Sequence, residues 1–257
     1  MSYRTIGISA AKKAGDYLAK HFATFHHGAI RFKGSHDIVT KADLGANRII
    51  LSTIKNKFPN HDFLSEETGL ENNADTYRWI IDPLDGTTNF TIGSPLFCTA
   101  LALVHKHEIL LSIIYAPITD ELFVAEAGHH TTLNGKRVHV SPTRQFQRSI
   151  ITYGFGHSVN SRRGGITIAQ RLHTRALNGR MFGSGSLNLA YVAAGRVEGC
   201  VLTPPITLWD SIMGVFLVQQ AGGKVTSIDG KQWSYASTDV VASNGKIHNE
   251  LLRAVKI

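Results

Sequence analysis

The segment Trp79-Ile80-Ile81-Asp82-Pro83-Leu84-Asp85-Gly86-Thr87-Thr88-Asn89-Phe90 constrains the fold more than any other part of the chain. An apolar run with strand character leads directly into two carboxylates, a glycine and two threonines. Such a strand carries Asp82 out of the core at its C-terminal end; Asp85-Gly86 turns the chain, and Thr87-Thr88-Asn89 opens a helix. Carboxylate oxygens then lie beside backbone N–H groups. Carboxylates hold hard cations and helix-start N–H groups hold phosphate, so one loop can hold both a metal and the group it acts on.

The rest of the chain limits the alternatives. Its 257 residues, 43% hydrophobic and 18% charged, suit a packed core and exclude a disordered chain. No apolar run reaches the roughly 18 residues of a membrane span, and the first residues lead into an amphipathic pattern without a signal-peptide stretch. Cys98 and Cys200 sit in apolar surroundings and read as buried, reduced thiols, so a soluble cytoplasmic protein is expected. The net charge of +8 would attract anionic substrates. Its densest groups, Lys12-Lys13, Lys136-Arg137 and Arg162-Arg163, are scattered and lack interleaved aromatics, which argues against a dedicated nucleic-acid site.

Periodicity places helices at Ile6 to Phe22 and Asp43 to Phe58, the latter with Asp43 as N-cap. Strand signals dominate from Phe63 to about residue 140, with Asn134-Gly135 as a hairpin turn. This half reads as a largely antiparallel sheet carrying two helices. Beyond it, strands (Ile150-Thr152, Met181-Phe182, Gly199-Leu202, Gly222-Val225, Val240-Ala242) alternate with helices (Ile166–Leu177, Leu187–Ala194, Asp210–Gln220, His248–Val255), the pattern of an α/β layer. The join falls near Ser141-Pro142. The expected organisation is an N-terminal α+β part, 1–142, bearing the acidic motifs, and a C-terminal α/β part, 143–257, that completes the active site.

Four carboxylates stand at element edges: Glu66, Asp82, Asp85 and Asp210, the last read as a helix N-cap. Like charges held close raise one another's pKa unless a cation neutralises them, and an all-oxygen donor set favours magnesium over zinc. The adjacent pairs His26-His27 and His129-His130 diverge, and neither cysteine lies in a Cys-x-x-Cys pair. No complete dinucleotide or P-loop fingerprint is present. Asp82 and Asp85 are three apart, against two in the aspartyl-phosphate phosphatases, which favours a metal-bound water over a covalent aspartyl intermediate.

Asp82-Pro83-Leu84-Asp85-Gly86-Thr87-Thr88-Asn89-Phe90 resembles the first signature of the inositol monophosphatase family. Leu64-Ser65-Glu66-Glu67 is similar to its upstream acidic motif, and Trp209-Asp210-Ser211-Ile212-Met213-Gly214 to its C-terminal signature. The resemblance covers nearly the whole chain. It implies a layered α-β-α-β-α sugar-phosphatase fold, commonly dimeric, with magnesium-dependent, lithium-sensitive phosphomonoesterase activity. By the same resemblance Glu66, Asp82 and the Leu84 carbonyl would hold a first ion, and Asp82, Asp85 and Asp210 a second, with a third near Glu66: two or three Mg2+ per site. Glu66, Asp85 and Thr87 would be catalytic, Thr87 positioning the water; Glu67 would support this shell, and the N–H groups of Gly86 and Thr87 would bind phosphate. Lys33 and Asp43 fall where the family's mobile loop and its anchor lie.

Substrate contacts carry less of the likeness. Gly183-Ser184-Gly185 matches the family segment that lines substrate hydroxyls; its other reading is a helix-opening turn, with Ser186 capping the next helix. Inositol phosphatases usually carry a glutamate about seven residues before the acid of Trp209-Asp210. Here Val201 to Leu208 holds no acid and is one residue longer, so strict inositol specificity is not supported. Gly156 to Gly165 reads as a solvated loop. Arg162-Arg163, if turned to the site, would admit fructose bisphosphate or a nucleotide phosphate. Thr88-Asn89 departs from the Lys-Glu of the adenosine-bisphosphate branch. The expectation is hydrolysis of inositol 1-phosphate or a related sugar phosphate. The alternatives are a broader phosphatase acting on fructose bisphosphate, histidinol phosphate or a dinucleotide phosphate, and a non-catalytic protein binding RNA or a transcription complex. A homodimer with a small phosphorylated substrate and no membrane partner is expected.

Overall fold

The computed structural model describes residues 2–24, 31–32, 38–72, 76–156 and 158–256; Lys33 lies outside them. Helix α1 (Tyr3–Phe22) starts at Ser2, whose Oγ accepts from Thr5 N at 3.3 Å, and buries Ile6, Ala10, Ala14 and Leu18. The two-residue strands β1 (Arg31–Phe32) and β2 (Ile38–Val39) pair antiparallel ahead of α2 (Lys41–Lys55). Asp43 is not the α2 cap. Thr40 is, and Asp43 sits three residues inside, its Oδ2 accepting from Thr40 N at 2.7 Å and Thr40 Oγ1 at 2.6 Å. A capping box satisfies two terminal donors at once, where a lone Asp cap satisfies one.

The first sheet contains β3 (Asp62–Ser65), β4 (Gly69–Glu71), β5 (Tyr77–Asp85), β6 (Cys98–His105), β7 (Glu108–Ala116), β8 (Glu121–Glu126), β9 (Thr132–Leu133) and β10 (Lys136–Arg137). Its order is β10-β9-β8-β7-β6-β5-β3-β4, antiparallel except where β3 runs beside β5. Asn134 and Gly135, with φ of 49° and 77°, make the tight β9–β10 turn read from the sequence. Strand β5 does not end at Asp82. It bulges between Asp82 and Asp85, pairs again at Asp85 with Cys98, and leads into α3 (Thr87–Thr91). A bulge bends and twists a strand, re-aiming the side chains it carries.

The second sheet has β11 (Ile150–Gly154), β12 (Asn178–Arg180), β13 (Gly199–Leu202), β14 (Lys224–Thr226) and β15 (Val240–Ser243), in the order β12-β11-β13-β15-β14. Strand β11 is parallel to both of its neighbours. The helices are α4 (Val159–Arg175), α5 (Gly185–Ala193), α6 (Leu208–Gln220) and α7 (His248–Val255). Three expectations change here. The short strand is Asn178–Arg180 rather than Met181-Phe182; α4 begins seven residues early, so Arg162-Arg163 are helical rather than in a loop; and Ser184, not Ser186, caps α5. At the two helix starts a Ser cap, Ser158 or Ser184, accepts from the N–H three residues on.

Alternation along β5 shows how the layers assemble. Trp79 and Ile81 face the core built with α1 and α2, whereas Ile80 faces the one built with α5 and α6. Helix α6 buries Ile212, Met213, Val215, Phe216, Leu217 and Val218 all round, as a helix between two sheets must. Helices α4 and α7 cover the far side of the second sheet through Ile168, Leu172, Leu251 and Val255. The result is an α-β-α-β-α stack of mixed sheets and helices. No described helix is long and apolar enough to cross a membrane, and Cys98 and Cys200 are buried free thiols.

Candidate active site

Glu66, Asp82, Asp85 and Asp210 line a single cavity of about 670 Å³. Each arrives by a different local route. Glu66 follows β3 and is tied to the neighbouring strand by its own N–H, which donates to Ile81 O at 3.1 Å. Asp82 is in β5, 1% exposed, and its Oδ1 accepts from Leu84 N at 3.1 Å. Asp85 ends β5; its two oxygens accept from Gly185 N at 3.2 Å and Ser186 N at 2.5 Å, at the start of α5. Anionic oxygens are favoured at a helix N-terminus.

Asp210 is not the α6 cap. Thr207 is, and Asp210 Oδ2 accepts from Thr207 N at 3.0 Å and Thr207 Oγ1 at 2.7 Å, the same box that holds Asp43. The first turns of α5 and α6 meet closely: a Cβ on Gly185 would stand 3.0 Å from Asp210 O. Residues more than a hundred positions apart thus meet through Gly185, which touches Asp85 on one side and Asp210 on the other.

The electrostatics follow from the crowding. Burial pushes the Asp82 carboxyl well up, and the charges of Glu66, Asp85, Asp210 and Asp43 push it the same way. Burial raises Asp85 to about 6, helped by Asp210 and opposed by its bonds to Ser186. Asp43 is also raised, first by burial, although it does not line the cavity. Among the described residues no three His, Cys, Asp or Glu side chains already close on one point, since Asp85 and Asp210 are turned to backbone N–H groups. The donor set still fits a divalent cation: every group is oxygen, and each charge acting on Asp82 is another carboxylate.

Gly86 is the N-cap of α3 with φ of 99°, and it lines the cavity with Thr87, Thr88 and Asn89. Thr87 Oγ1 lies 3.0 Å from Asp43 Oδ1 and 3.1 Å from Leu84 O, so its one proton is shared between two acceptors. Asp43 is therefore a clamp on Thr87 from behind. Glu67 also stands outside the lining, and its charge acts on Asp43. Gly183, Ser184 and Gly185 all line the cavity, with Ser184 serving as the α5 cap as well.

Other lining residues carry no role assigned from the sequence. Asn89 Nδ2 donates to Leu96 O and Phe182 O, both at 2.6 Å, and ties the α3 turn to the segment before α5. Asn188 is 1% exposed, and its Oδ1 makes no hydrogen bond. Phe155, Ile166, Met181, Pro205 and Ile206 form an apolar side, joined by Arg162. The expectation of a solvated loop at Gly156 to Gly165 fails because Ser158 starts α4 there, and α4 brings Arg162 to the rim. Of this apolar side the sequence offered one signal, the acid-free run through Pro204-Pro205.

A buried, oxygen-only acidic pocket beside a helix N-terminus, set in an α-β-α-β-α stack, defines the sugar-phosphatase class of fold. The chain belongs to the inositol monophosphatase family, whose model matches residues 2–257. It is 38% identical over 251 residues to an inositol-1-monophosphatase of Mesorhizobium japonicum, covering 97% of this chain and 94% of the relative. It is 36% identical over 250 residues to the Nus factor SuhB of Salmonella typhimurium, covering 96% and 93%. The crystal structure of the extragenic suppressor protein suhB from Bartonella henselae superimposes with a TM-score of 0.93 at 34% identity, covering 98% of each chain.

Proposed function

We propose that this chain is a magnesium-dependent phosphomonoesterase acting on a small phosphate ester, with inositol 1-phosphate as the first ester to assay. One observation carries this reading: Glu66, Asp82, Asp85 and Asp210 line the same cavity as the N-terminus of α3 at Gly86 and Thr87. Glu66, Asp82, Asp85, Asp210 and the Leu84 carbonyl would hold two or three ions. Magnesium bound there supplies a nucleophilic water at neutral pH and neutralises charge on the phosphoryl group. The chain's own groups do the positioning. The N–H groups of Gly86 and Thr87 bind phosphate oxygens, which gain from the helix dipole. Thr87 Oγ1, fixed between Asp43 and Leu84 O, orients the attacking water, and Glu66 accepts its proton. Phosphoryl transfer needs placement and charge neutralisation more than covalent help. In keeping with the family, the working unit is a homodimer and lithium inhibits it.

The test is phosphate release from a panel of monoesters with magnesium, with and without lithium. Asp85→Asn removes one ionic donor while the fold stays intact, and turnover is expected to fall by at least about two orders of magnitude. Near-normal turnover in that variant, or no magnesium requirement, sinks the proposal. A second reading, binding to RNA or a transcription complex, draws on the SuhB relative's name and the net charge of +8. Binding that survives Asp85→Asn unchanged would separate that role from catalysis.

A further inference from the structure

The cavity lining joins two kinds of side chain, the acids and an apolar wall of Phe155, Ile166, Met181, Pro205 and Ile206. Ile166 and Met181, which both line the cavity, are 61% and 56% exposed, large apolar side chains left facing solvent. Contiguous exposed apolar surface is a mark of a binding site.

The wall is rigid. Phe155 stacks on Tyr153 with centroids 5.5 Å apart and planes 17° apart. One edge of its ring meets α4 at Gly165, where an added Cβ would fall 2.1 Å from the Phe155 Cδ1, so the phenyl cannot swing towards the helix. A Cβ on Gly156 would stand 2.6 Å from Pro205 O, so the chain after β11 and the turn before α6 are in contact. Thr203, the last hydroxyl before that turn, is 2% exposed and bonds back to Gly154 O through its N–H at 3.0 Å and its Oγ1 at 3.4 Å. It offers the cavity nothing. The five side chains of this wall carry no polar atom and the Arg162 guanidinium beside them only donates, so a ring of hydroxyls would have to be met by other lining side chains such as Ser184 and Asn188.

We propose that the leaving group recognised here carries an aromatic ring, laid against Phe155, Ile166 and Met181 with Arg162 as its polar neighbour. This rests on the phosphomonoesterase reading and narrows its substrate class from bare polyol phosphates to phosphate esters with a planar apolar body. Guanidinium groups stack on aromatic faces, so the cation and the apolar wall select the same shape.

The experiment compares phenethyl phosphate with glycerol phosphate as substrates of the full chain in magnesium. Both release an ordinary alkoxide, so their ratio of kcat/KM reports recognition of the body and not bond reactivity. The ratio is expected to favour phenethyl phosphate by at least about tenfold, the scale of a few methylenes in an apolar pocket. It should collapse towards one in Ile166→Ser/Met181→Ser, whose positions are exposed and whose folding is checked by circular dichroism. A ratio at or below one, or one untouched by the substitutions, overturns the inference while leaving the phosphatase reading in place. A changed oligomeric mass with an unchanged ratio also overturns it, because the wall would then be a contact between copies. If neither ester is cleaved while inositol 1-phosphate is, the inference is overturned; if none of the three is cleaved the phosphatase reading fails, and calorimetry with phenethylphosphonate decides the inference alone: binding lost in the double variant supports it, and equal binding refutes it.

Discussion

At the scale of single residues, Gly86 is where backbone and site constrain each other most. Its φ of 99° suits glycine, and a Cβ would stand 2.9 Å from Leu96 O and 3.2 Å from the Phe97 Cα. Both obstacles are backbone, which cannot rotate away. Gly86→Ala is therefore expected to lower stability by about 2–3 kcal/mol in denaturant unfolding. It should also weaken inhibition by inorganic phosphate, because α3 starts at this residue. A variant as stable as the parent, with unchanged phosphate inhibition, would show that the turn tolerates a side chain. This residue was legible in the sequence, since Asp-Gly before two threonines is a local turn signal. The tie made by Asn89 and the place of Asn188 in the lining were not. Asn89 owes its role to a carbonyl ninety-three residues away, at Phe182, and local sequence holds no trace of such a partner.

At the scale of elements, the helix starts were the least legible part, and the physics is the same at both acids. Thr40-x-x-Asp43 and Thr207-x-x-Asp210 each form a box, so the acid lies one turn inside the helix that it opens. Read singly, an Asp before an apolar run suits the cap itself; only the preceding Thr reveals the pairing. The central strands were easier to read because both their faces are buried, which writes them as short continuous apolar runs. Helix α7 yields a prediction of its own. His248 is buried between Thr226 of β14 and Ser243 of β15, with Nε2 3.0 Å from Thr226 Oγ1 and Nδ1 2.9 Å from Ser243 Oγ. Thr226 Oγ1 already donates to Ser227 O, so it accepts from Nε2–H, and the neutral ring is satisfied. Burial lowers its pKa to about 4. The unfolded chain, titrating at about 6.5, then binds the proton more readily than the fold does. Stability is full above that unfolded value and is lost as pH falls from about 6.5 towards 4, by about 2 kcal/mol at pH 5. Denaturant midpoints at several pH values should show this slope in the parent and a shallower one in His248→Gln. Equal slopes would assign the acid sensitivity to other groups.

At the scale of the whole molecule, the five layers could be named only through family resemblance, since strand orders such as β12-β11-β13-β15-β14 depend on pairings that no local pattern encodes. The layering has an energetic consequence. Asp82 and Asp85 belong to the first sheet, Glu66 to the strand end beside it, and Asp210 to α6 in the central layer. Their mutual repulsion opposes the packing of α6 on that sheet, and a divalent ion between them reverses its sign. A ligand bound only by the folded state stabilises it by mass action, about 2.7 kcal/mol at a hundred times its Kd. For a chain of this size that corresponds to a rise in Tm of about 5–10 °C. Thermal unfolding is therefore expected to shift upward by that amount on adding magnesium to chelator-treated protein. Sodium chloride at matched ionic strength controls for screening, which acts on exposed charges far more than on buried ones. Asp85→Asn should start from a Tm near the parent's, because it loses a repulsion along with its bonds to α5, and should gain much less from the ion. If magnesium raises both proteins equally, the ion acts elsewhere on the surface, and the four acids are held together by packing alone.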